Sequence, residues 1–385
     1  MSQGLRSVLV LVVGAAAVLL AADRLVSAPG FRLPKDFIEY WAAARIVLRG
    51  ADPYHPDNLL IEQRLVEPKR SEAVMMWNPP PALVLYMPLA LVPVRWASLL
   101  WVATQVAAVL LACDWLWRTY SAGRRWIALL LGASFVGTWW LVAYGQNTGF
   151  LLLGLAGFQY FTFRQQPLAA GACAALTALK PHLLAGFGVL FLADAITRSG
   201  RQALLAGVAV IAIALAGVVL LNPHVLGQFL AAVQNPGPGA VPLSAWTLPA
   251  PSYWLRKAID PNRFGLQFLP TLTLCAALVI WRFRSRKNWN WQRALPGVVA
   301  ASVLCTPYGG WIFDLPVLLV PVVAVAARIV ARERWKLFVI FVLGLMVVNV
   351  GSFATPGALH GYWWVAPAIV GWCLIGYGCS SLSAR

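Results

Sequence analysis

The chain has 385 residues, 60% of them hydrophobic and only 11% charged, with a mean hydropathy of +0.73. A soluble domain is about 45–50% apolar and about 25% charged, so this sequence has too few polar residues to cover a water-facing surface, and a soluble single-core domain is excluded. The net charge of +17 therefore has no soluble domain on which to build a nucleic-acid surface, and it reads as Lys and Arg held in cytoplasmic loops by the positive-inside rule.

Residues 7–22 are apolar and follow Arg6. Their shortness and the small residues before Asp23 fit a cleaved signal peptide, but the many later spans favour an uncleaved first helix. Residues 27–95 are expected to form a first extracytoplasmic loop with juxtamembrane helices. Within it Phe37, Tyr40, Trp41, Ala44 and Val47 or Leu48 recur at three- and four-residue steps, which predicts an amphipathic helix over 36–48 lying on the membrane surface. Arg49-Gly50 ends that helix and Asp52-Pro53 starts a turn. The apolar run 79–92, opened by Pro79-Pro80-Pro81 and closed by Pro93, is about 14 residues, short of the roughly 20 that a span needs.

Loop charge decides how that run is read. If 79–92 crosses the membrane, the loop 118–125 (RTYSAGRR) faces outside; if it is interfacial, that loop joins TRSGR, RFRSRKNWNWQR and ARERWK on the cytoplasmic side. The second choice sorts every loop by one rule. It predicts spans near 96–117, 126–143, 147–163, 167–179, 182–197, 202–221, 264–281, 294–308, 312–327, 337–353 and 362–379, about twelve with the first helix, some of them half-length. Both termini are then cytoplasmic. The outer face receives YGQN (144–147), KPH (180–182), a second extracytoplasmic loop at 222–263, TPYGGWIFD (306–314) and TPGALHGYWW (355–364). The expected fold class is an all-α polytopic integral membrane protein forming one membrane domain over 1–385. The glycines at 149–157 read as helix packing, and the six cysteines, with no CxxC pair, as small buried hydrophobes.

Seven of the 13 acidic residues fall between positions 36 and 72. Asp36 and Glu39, three apart, share a helix face. One reading is a general base at Asp36, with Glu39 tuning it or binding an acceptor hydroxyl; the other is a pair of ordinary helix-start acids favoured by the dipole. Glu62, Glu67 and Glu72, balanced by Arg64, Lys69 and Arg70, read as a solvated face. Lys180-Pro181-His182 interrupts a mostly apolar run, where a lysine is costly unless it meets a cavity or a partner. It is either a lipid-phosphate site, with Lys180 supplying charge and His182 a second donor, or a lysine snorkelling from a loop. Gln146 and Asn147 offer amides to sugar hydroxyls, or make a turn. Asp314 caps the following helix, holds a sugar, or orients Lys180. His360, in the last outer loop, is a weaker candidate for the phosphate. Four histidines without an HxxE spacing and scattered cysteines argue against a transition-metal site.

These pieces, in this order, resemble glycosyltransferase family 87, the polyprenol-phosphate-mannose-dependent α-1,2-mannosyltransferase-like group of the GT-C superfamily. The resemblance rests on Asp36-Phe-Ile-Glu-Tyr40-Trp with Ala43-Ala-Arg45 and Gly50-Ala-Asp-Pro-Tyr54, then Trp77-Asn-Pro-Pro-Pro81, Gly145-Gln-Asn147, Lys180-Pro181 and Pro307-Tyr308 with Asp314. It spans roughly residues 10–330. It implies a GT-C fold, Asp36 as catalytic base, and a membrane-bound polyprenyl-phosphate sugar as donor, with mannose the commonest sugar and arabinofuranose also known. Lys180 with His182, His360 or a nearby arginine would meet the donor phosphate. Glu39, Tyr40, Gln146, Asn147, Tyr308 and Asp314 would meet the sugar and a lipid or glycan acceptor. The implied reaction is an inverting displacement on the extracytoplasmic face of the cell membrane. No cofactor or divalent metal is required, because the donor carries one phosphate and not a diphosphate, and membrane lipids rather than nucleic acid are the expected partners. The competing reading is a transporter or flippase of a lipid-linked or small polar solute, which broken helices and an intramembrane lysine also fit. Against it, the chain lacks two-half repetition and its acids cluster in an outer loop.

Overall fold

The structure is a computed structural model describing residues 23–24, 26–27, 31–235, 237, 240–355 and 359–381; the expected first span at 7–22 lies outside the described residues. Between Phe37 and Ser381 the chain forms seventeen α-helices and several 3₁₀ turns, and no strand occurs among the described residues. That is what a lipid solvent demands, since a helix satisfies its backbone polar groups within itself.

Among the described residues six helices are long and apolar enough to cross a bilayer: Val94–Tyr120, Arg198–Leu221, Phe264–Arg284, Ile312–Ala331, Trp335–Phe353 and Leu359–Cys379. A seventh candidate is the pair Trp126–Ser134 and Val136–Tyr144, bent by 57° at Phe135, whose backbone is extended. The expected segments at 147–163, 167–179, 182–197 and 294–308 are helices close to those bounds, Thr148–Phe163, Pro167–Leu179, Ala185–Ile196 and Trp291–Leu304, all shorter than a full span. An apolar run shows in the sequence, but its length as a helix is cut by 3₁₀ turns such as Ala175–Leu179 and Asp194–Ile196. The run 79–92 is a 3₁₀ turn, Pro80–Ala82, followed by the helix Leu83–Ala90, too short to cross, as its length predicts.

Ile312–Ala331 is the central helix. Within its most apolar stretch 94% of residues are buried inside the protein, against 11% for Arg198–Leu221 and 17% for Trp335–Phe353, which therefore face outward. Glycines allow the close contacts around it. A Cβ on Gly149 would meet the Gln105 side chain, one on Gly154 the Cys173 carbonyl at 2.8 Å, and one on Gly171 the backbone of Ala203, which is the packing role expected for small residues between membrane helices.

Val94–Tyr120 shows that the molecule has two distinct ends. Near its start, Trp101 Nε1 donates to the Gly145 carbonyl at 2.7 Å; at its finish, the Tyr120 hydroxyl donates to the Gln292 carbonyl at 2.9 Å. At 1.5 Å per residue these points are about 28 Å apart. The basic loops gather at the Tyr120 end. Arg118 and Arg125 both pair with Asp114, Arg328 donates to the Gln292 carbonyl, and Arg124 lies over the Trp335 ring.

Two expectations are corrected. The helix Phe37–Leu48 does not lie on a membrane surface: ten of its twelve residues are buried, and Tyr40 stacks on Tyr86 at 4.5 Å. Apart from Glu39 and Arg45 it is apolar all round, and such a helix belongs in an interior. Nor is Glu62 on a solvated face. It is buried and accepts from Arg45 at 2.9 Å and from Arg49, so the second acidic cluster is partly a clamp on the same helix, while Glu67 pairs with Arg70 at 2.5 Å near the surface.

The Gly171 contact yields the first prediction. Gly171→Ala places a methyl group against the Ala203 backbone, and overpacking of this kind costs about 1–3 kcal/mol. A lowered melting temperature in detergent is expected, whereas Gly188→Ala, whose Cβ meets nothing within 4 Å, leaves it unchanged.

Candidate active site

At the Trp101 end lies a cavity of about 760 Å³. Its polar side is formed by residues from four separate stretches: Asp36 and Glu39, Gln146, Lys180 with His182, and Tyr308 with Asp314. Each stretch breaks helical structure for a local reason. Gly145 ends the helix Val136–Tyr144 in the left-handed conformation at φ 70°, and a Cβ there would also come within 2.7 Å of Pro34 and 2.9 Å of Phe37. Lys180 leaves the Ala175–Leu179 turn with non-helical backbone angles, φ -137° and ψ 72°, and Pro181 supplies no N–H to continue a helix. Gly309 and Gly310, at φ 83° and 71°, turn the chain into the central helix.

Gln146 joins these stretches. Its Nε2 donates to Asp36 Oδ2 at 2.7 Å, and its Oε1 accepts from the Tyr40 hydroxyl at 2.9 Å and from Lys180 Nζ at 2.8 Å. The carboxylate on one side and the ammonium on the other fix which end of the amide is which. Lys180 Nζ donates its second bond to Asp314 Oδ1 at 2.7 Å, and that oxygen also accepts from the Thr148 hydroxyl at 3.2 Å. Asp314 Oδ2 accepts from the Trp311 N–H at 3.2 Å, so it also caps the start of the central helix. Lys180 is 9% exposed and Asp314 1%. An ammonium carries three protons; these two bonds leave one for a ligand. The Asp36 N–H donates to the Tyr144 carbonyl at 2.8 Å, which ties the base candidate to the turn that carries Gln146.

Burial pushes the Asp36 carboxyl above its ordinary pKa, opposed by the Gln146 hydrogen bond and the Lys180 charge. Burial, and next the charge of Asp36, raise Glu39 well above its usual value, and no cation lies within salt-bridge distance of Glu39 among the described residues. Two neighbouring acids of this kind resist ionising together. Burial lowers His182 to about 4, with Asp314 opposing. The imidazole is therefore neutral at pH 7, with its ring 4.5 Å from that of Tyr308, and has an N–H rather than a charge to offer a ligand.

Of the expected site residues, Asp36, Glu39, Gln146, Lys180, His182, Tyr308 and Asp314 share the cavity wall. Tyr40 and Asn147 do not; they lie behind it, Tyr40 bracing Gln146 and Asn147 donating to the Tyr86 hydroxyl at 2.7 Å. His360 is exposed and off the wall, although its neighbour Leu359 is on it. No arginine lines the cavity among the described residues, and no group of three His, Cys, Asp or Glu side chains there is placed to hold a metal ion. The sequence reading missed Asn78, whose Nδ2 donates to the Leu179 carbonyl at 2.9 Å, and the apolar wall of Trp77, Phe229, Leu230, Val233 and Trp246. Trp77 and Asn78 stand in the WNPPP motif, which was a signal; nothing in the loop 222–263 distinguished Trp246.

Removing one partner of a buried ion pair leaves an uncompensated charge and costs about 3–5 kcal/mol. Asp314→Ala is therefore expected to lower the melting temperature strongly. The double variant Asp314→Ala with Lys180→Met is expected to recover much of that loss, as a double-mutant cycle on thermal unfolding would record.

A sequence model described as glycosyltransferase family 87 matches residues 77–307, more than half of the chain. The matched range takes in Asn78, Gln146, Lys180 and His182, begins after Asp36 and ends before Tyr308 and Asp314. Comparisons with curated proteins and with solved structures give no significant match. The family supports the enzyme over the transporter reading. The chain belongs to glycosyltransferase family 87, and it is a glycosyltransferase with several helices long and apolar enough to cross a membrane.

Proposed function

We propose that this glycosyltransferase moves a sugar, mannose in the first instance, from a polyprenyl-phosphate donor to a hydroxyl of a lipid or glycan acceptor, with inversion and on the extracytoplasmic face. The observation that carries this reading is the Gln146 amide, which holds a carboxylate and a lysine ammonium in one cavity, 2.7 Å to Asp36 and 2.8 Å to Lys180. An acid that can take a proton and a cation that can receive a departing anion are the two groups that such a displacement needs. The gathering of basic loops at the opposite end supports that face, since the positive-inside rule favours a cytoplasmic position for such loops.

In this mechanism Asp36 accepts the proton of the acceptor hydroxyl as its oxygen bonds to the anomeric carbon. The bond from that carbon to the phosphate oxygen breaks on the far side, and both its electrons leave with the polyprenyl phosphate. The remaining Lys180 proton and a His182 N–H stabilise the charge that grows there. Asp314 keeps the lysine aimed, and Gln146 keeps Asp36 ionisable by donating to its carboxylate. Glu39 and Tyr308 line the space left for sugar hydroxyls. Residues of this chain supply both the base and the cation, so the scheme routes no step through a metal.

Two measurements follow. With a panel of polyprenyl-phosphate sugars, release of polyprenyl phosphate should fall about 10²–10⁴-fold in Asp36→Asn with folding retained; full turnover in that variant would place the base elsewhere. The base works only when ionised, so kcat/KM should decline as pH falls through a raised carboxyl pKa. Gln146→Ala removes a bond to the ionised form and should move that decline to higher pH, which a purely structural loss would not do.

A further inference from the structure

The helix Pro251–Ile259 is built inside out. A surface helix in water turns its apolar face to the core and its polar face outward. Here the buried residues are Ser252, Tyr253 and Arg256. At 100° per residue, Trp254, Ala258, Pro251, Leu255 and Ile259 fall in one continuous arc of about 140° on the other side. All five are exposed, Trp254, Leu255 and Ile259 by 43%, 36% and 59%. Lys257, also exposed, stands at the border of the arc. The helix is about 13 Å long, too short to cross a bilayer. Its inner face is tied to the cavity wall. Ser252 donates to the Thr306 carbonyl, and Arg256 Nη1 donates to the Ser244 carbonyl at 3.0 Å. Tyr253, Leu248 and Ala250 form a second core, separate from the main one, on which Trp246, Tyr308 and Trp311 pack. Those last three line the cavity.

We propose that Pro251–Ile259 is an interfacial anchor, seated by its apolar arc in the lipid leaflet at the cavity end of the molecule, and that this seat steadies residues 243–247 of the cavity wall. Exposed apolar surface of this extent marks a membrane or protein contact, and continuity with the neighbouring span favours lipid. Five residues beyond Ile259 begins Phe264–Arg284, whose most apolar stretch is only 17% buried inside the protein; Leu269 and Leu272 on it are exposed. Between the two helices the chain turns polar at Asp260, Asn262 and Arg263, with Arg263 paired to Asp260 at 3.3 Å, as suits the level of the headgroups. Lys257 can keep its stem among apolar groups while its ammonium reaches a lipid phosphate, and an indole such as that of Trp254 suits the same depth. A lipid seat asks only for apolar area with cations beside it, and this face offers both. A core of three residues buries little area, so lipid contact by the helix that carries it adds to what holds the wall. The seat is independent of the sugar and of the acceptor.

The test uses the full chain in phosphatidylcholine nanodiscs, with Cys379→Ser removing the exposed native thiol and serving alone as the labelling blank. A nitroxide is attached to Leu255→Cys, Ala258→Cys or Asn262→Cys in turn. Labels at 255 and 258 are expected to be reached by oxygen more than by a water-soluble nickel chelate, and the label at 262 the reverse. Preferential access of the chelate to 255 and 258 would put the arc in water and overturn the proposal. Shielding of both from either reagent would put the arc against protein, a second copy or another partner, and overturn it equally. Hydrogen exchange reads the effect on the wall. Leu255→Asp with Ile259→Asp sets two carboxylates on the arc, and exchange across 243–247 should rise by about ten-fold while that of Val94–Tyr120 stays as in the wild type. Trp254→Ser, a milder change to the same arc, should give a smaller rise at the same amides and serves if the double variant does not fold. Unchanged exchange at 243–247 in a folded variant would show that the seat does not steady the wall.

Discussion

A lysine in an apolar chain is tolerable only where a partner compensates its charge, and the structure is arranged around that requirement. Lys180 meets Asp314 at 2.7 Å and the Gln146 amide at 2.8 Å. To bring these together, the KPH turn must face both the start of the central helix and the turn after Tyr144. Burying such a pair is weak evidence of stability, since desolvation offsets much of the attraction. Its consequence is positional: a cation is held at the floor of a cavity, with a proton left to give.

The scaffold supplies this geometry by breaking helices where a soluble protein would continue them. Gly145 and Pro181 each follow the end of a helical segment, and the Gly309-Gly310 pair turns the chain into the central helix, at the same end of the molecule. In lipid, freed backbone groups of this kind are acceptable only where they line a cavity or are re-bonded, and here they are. The Gly145 carbonyl takes the Trp101 N–H, the Leu179 carbonyl takes Asn78, and the Thr306 carbonyl takes Ser252. The central helix, almost wholly inside the protein, gives Asp314 a fixed origin from which the rest of the polar wall is set.

Charge around the cavity is uneven in a way that bears on chemistry. Asp36, Glu39 and Asp314 face one lysine and a neutral histidine. Asp314 is committed to Lys180, which leaves Asp36 and Glu39 to compete for ionisation, with only Asp36 receiving the Gln146 hydrogen bond. The environment thus distinguishes two acids that are three residues apart and alike in sequence, a pattern associated with distinct roles in acid–base chemistry.

The sequence by itself determined the membrane class, the all-helical fold, the sorting of loops by charge, and most of the polar wall, because each rests on composition or on a residue out of place in an apolar run. Lys180 and Asp314 were visible for that reason, as were the glycine and proline breaks beside them. The sequence did not decide that the helix Phe37–Leu48 is interior, that Glu62 clamps it through Arg45 and Arg49, or where 3₁₀ turns interrupt the shorter helices. A three- and four-residue periodicity reads the same whether the partner is lipid or another helix. Only the tertiary structure chose Gln146 over Asn147 as the bridge between acid and lysine, left His360 off the wall, and brought Trp246 to the cavity that Asp36 lines. Those outcomes depend on which residues far apart in the chain come within hydrogen-bond or ring-contact distance, and that is settled by packing rather than by local spacing.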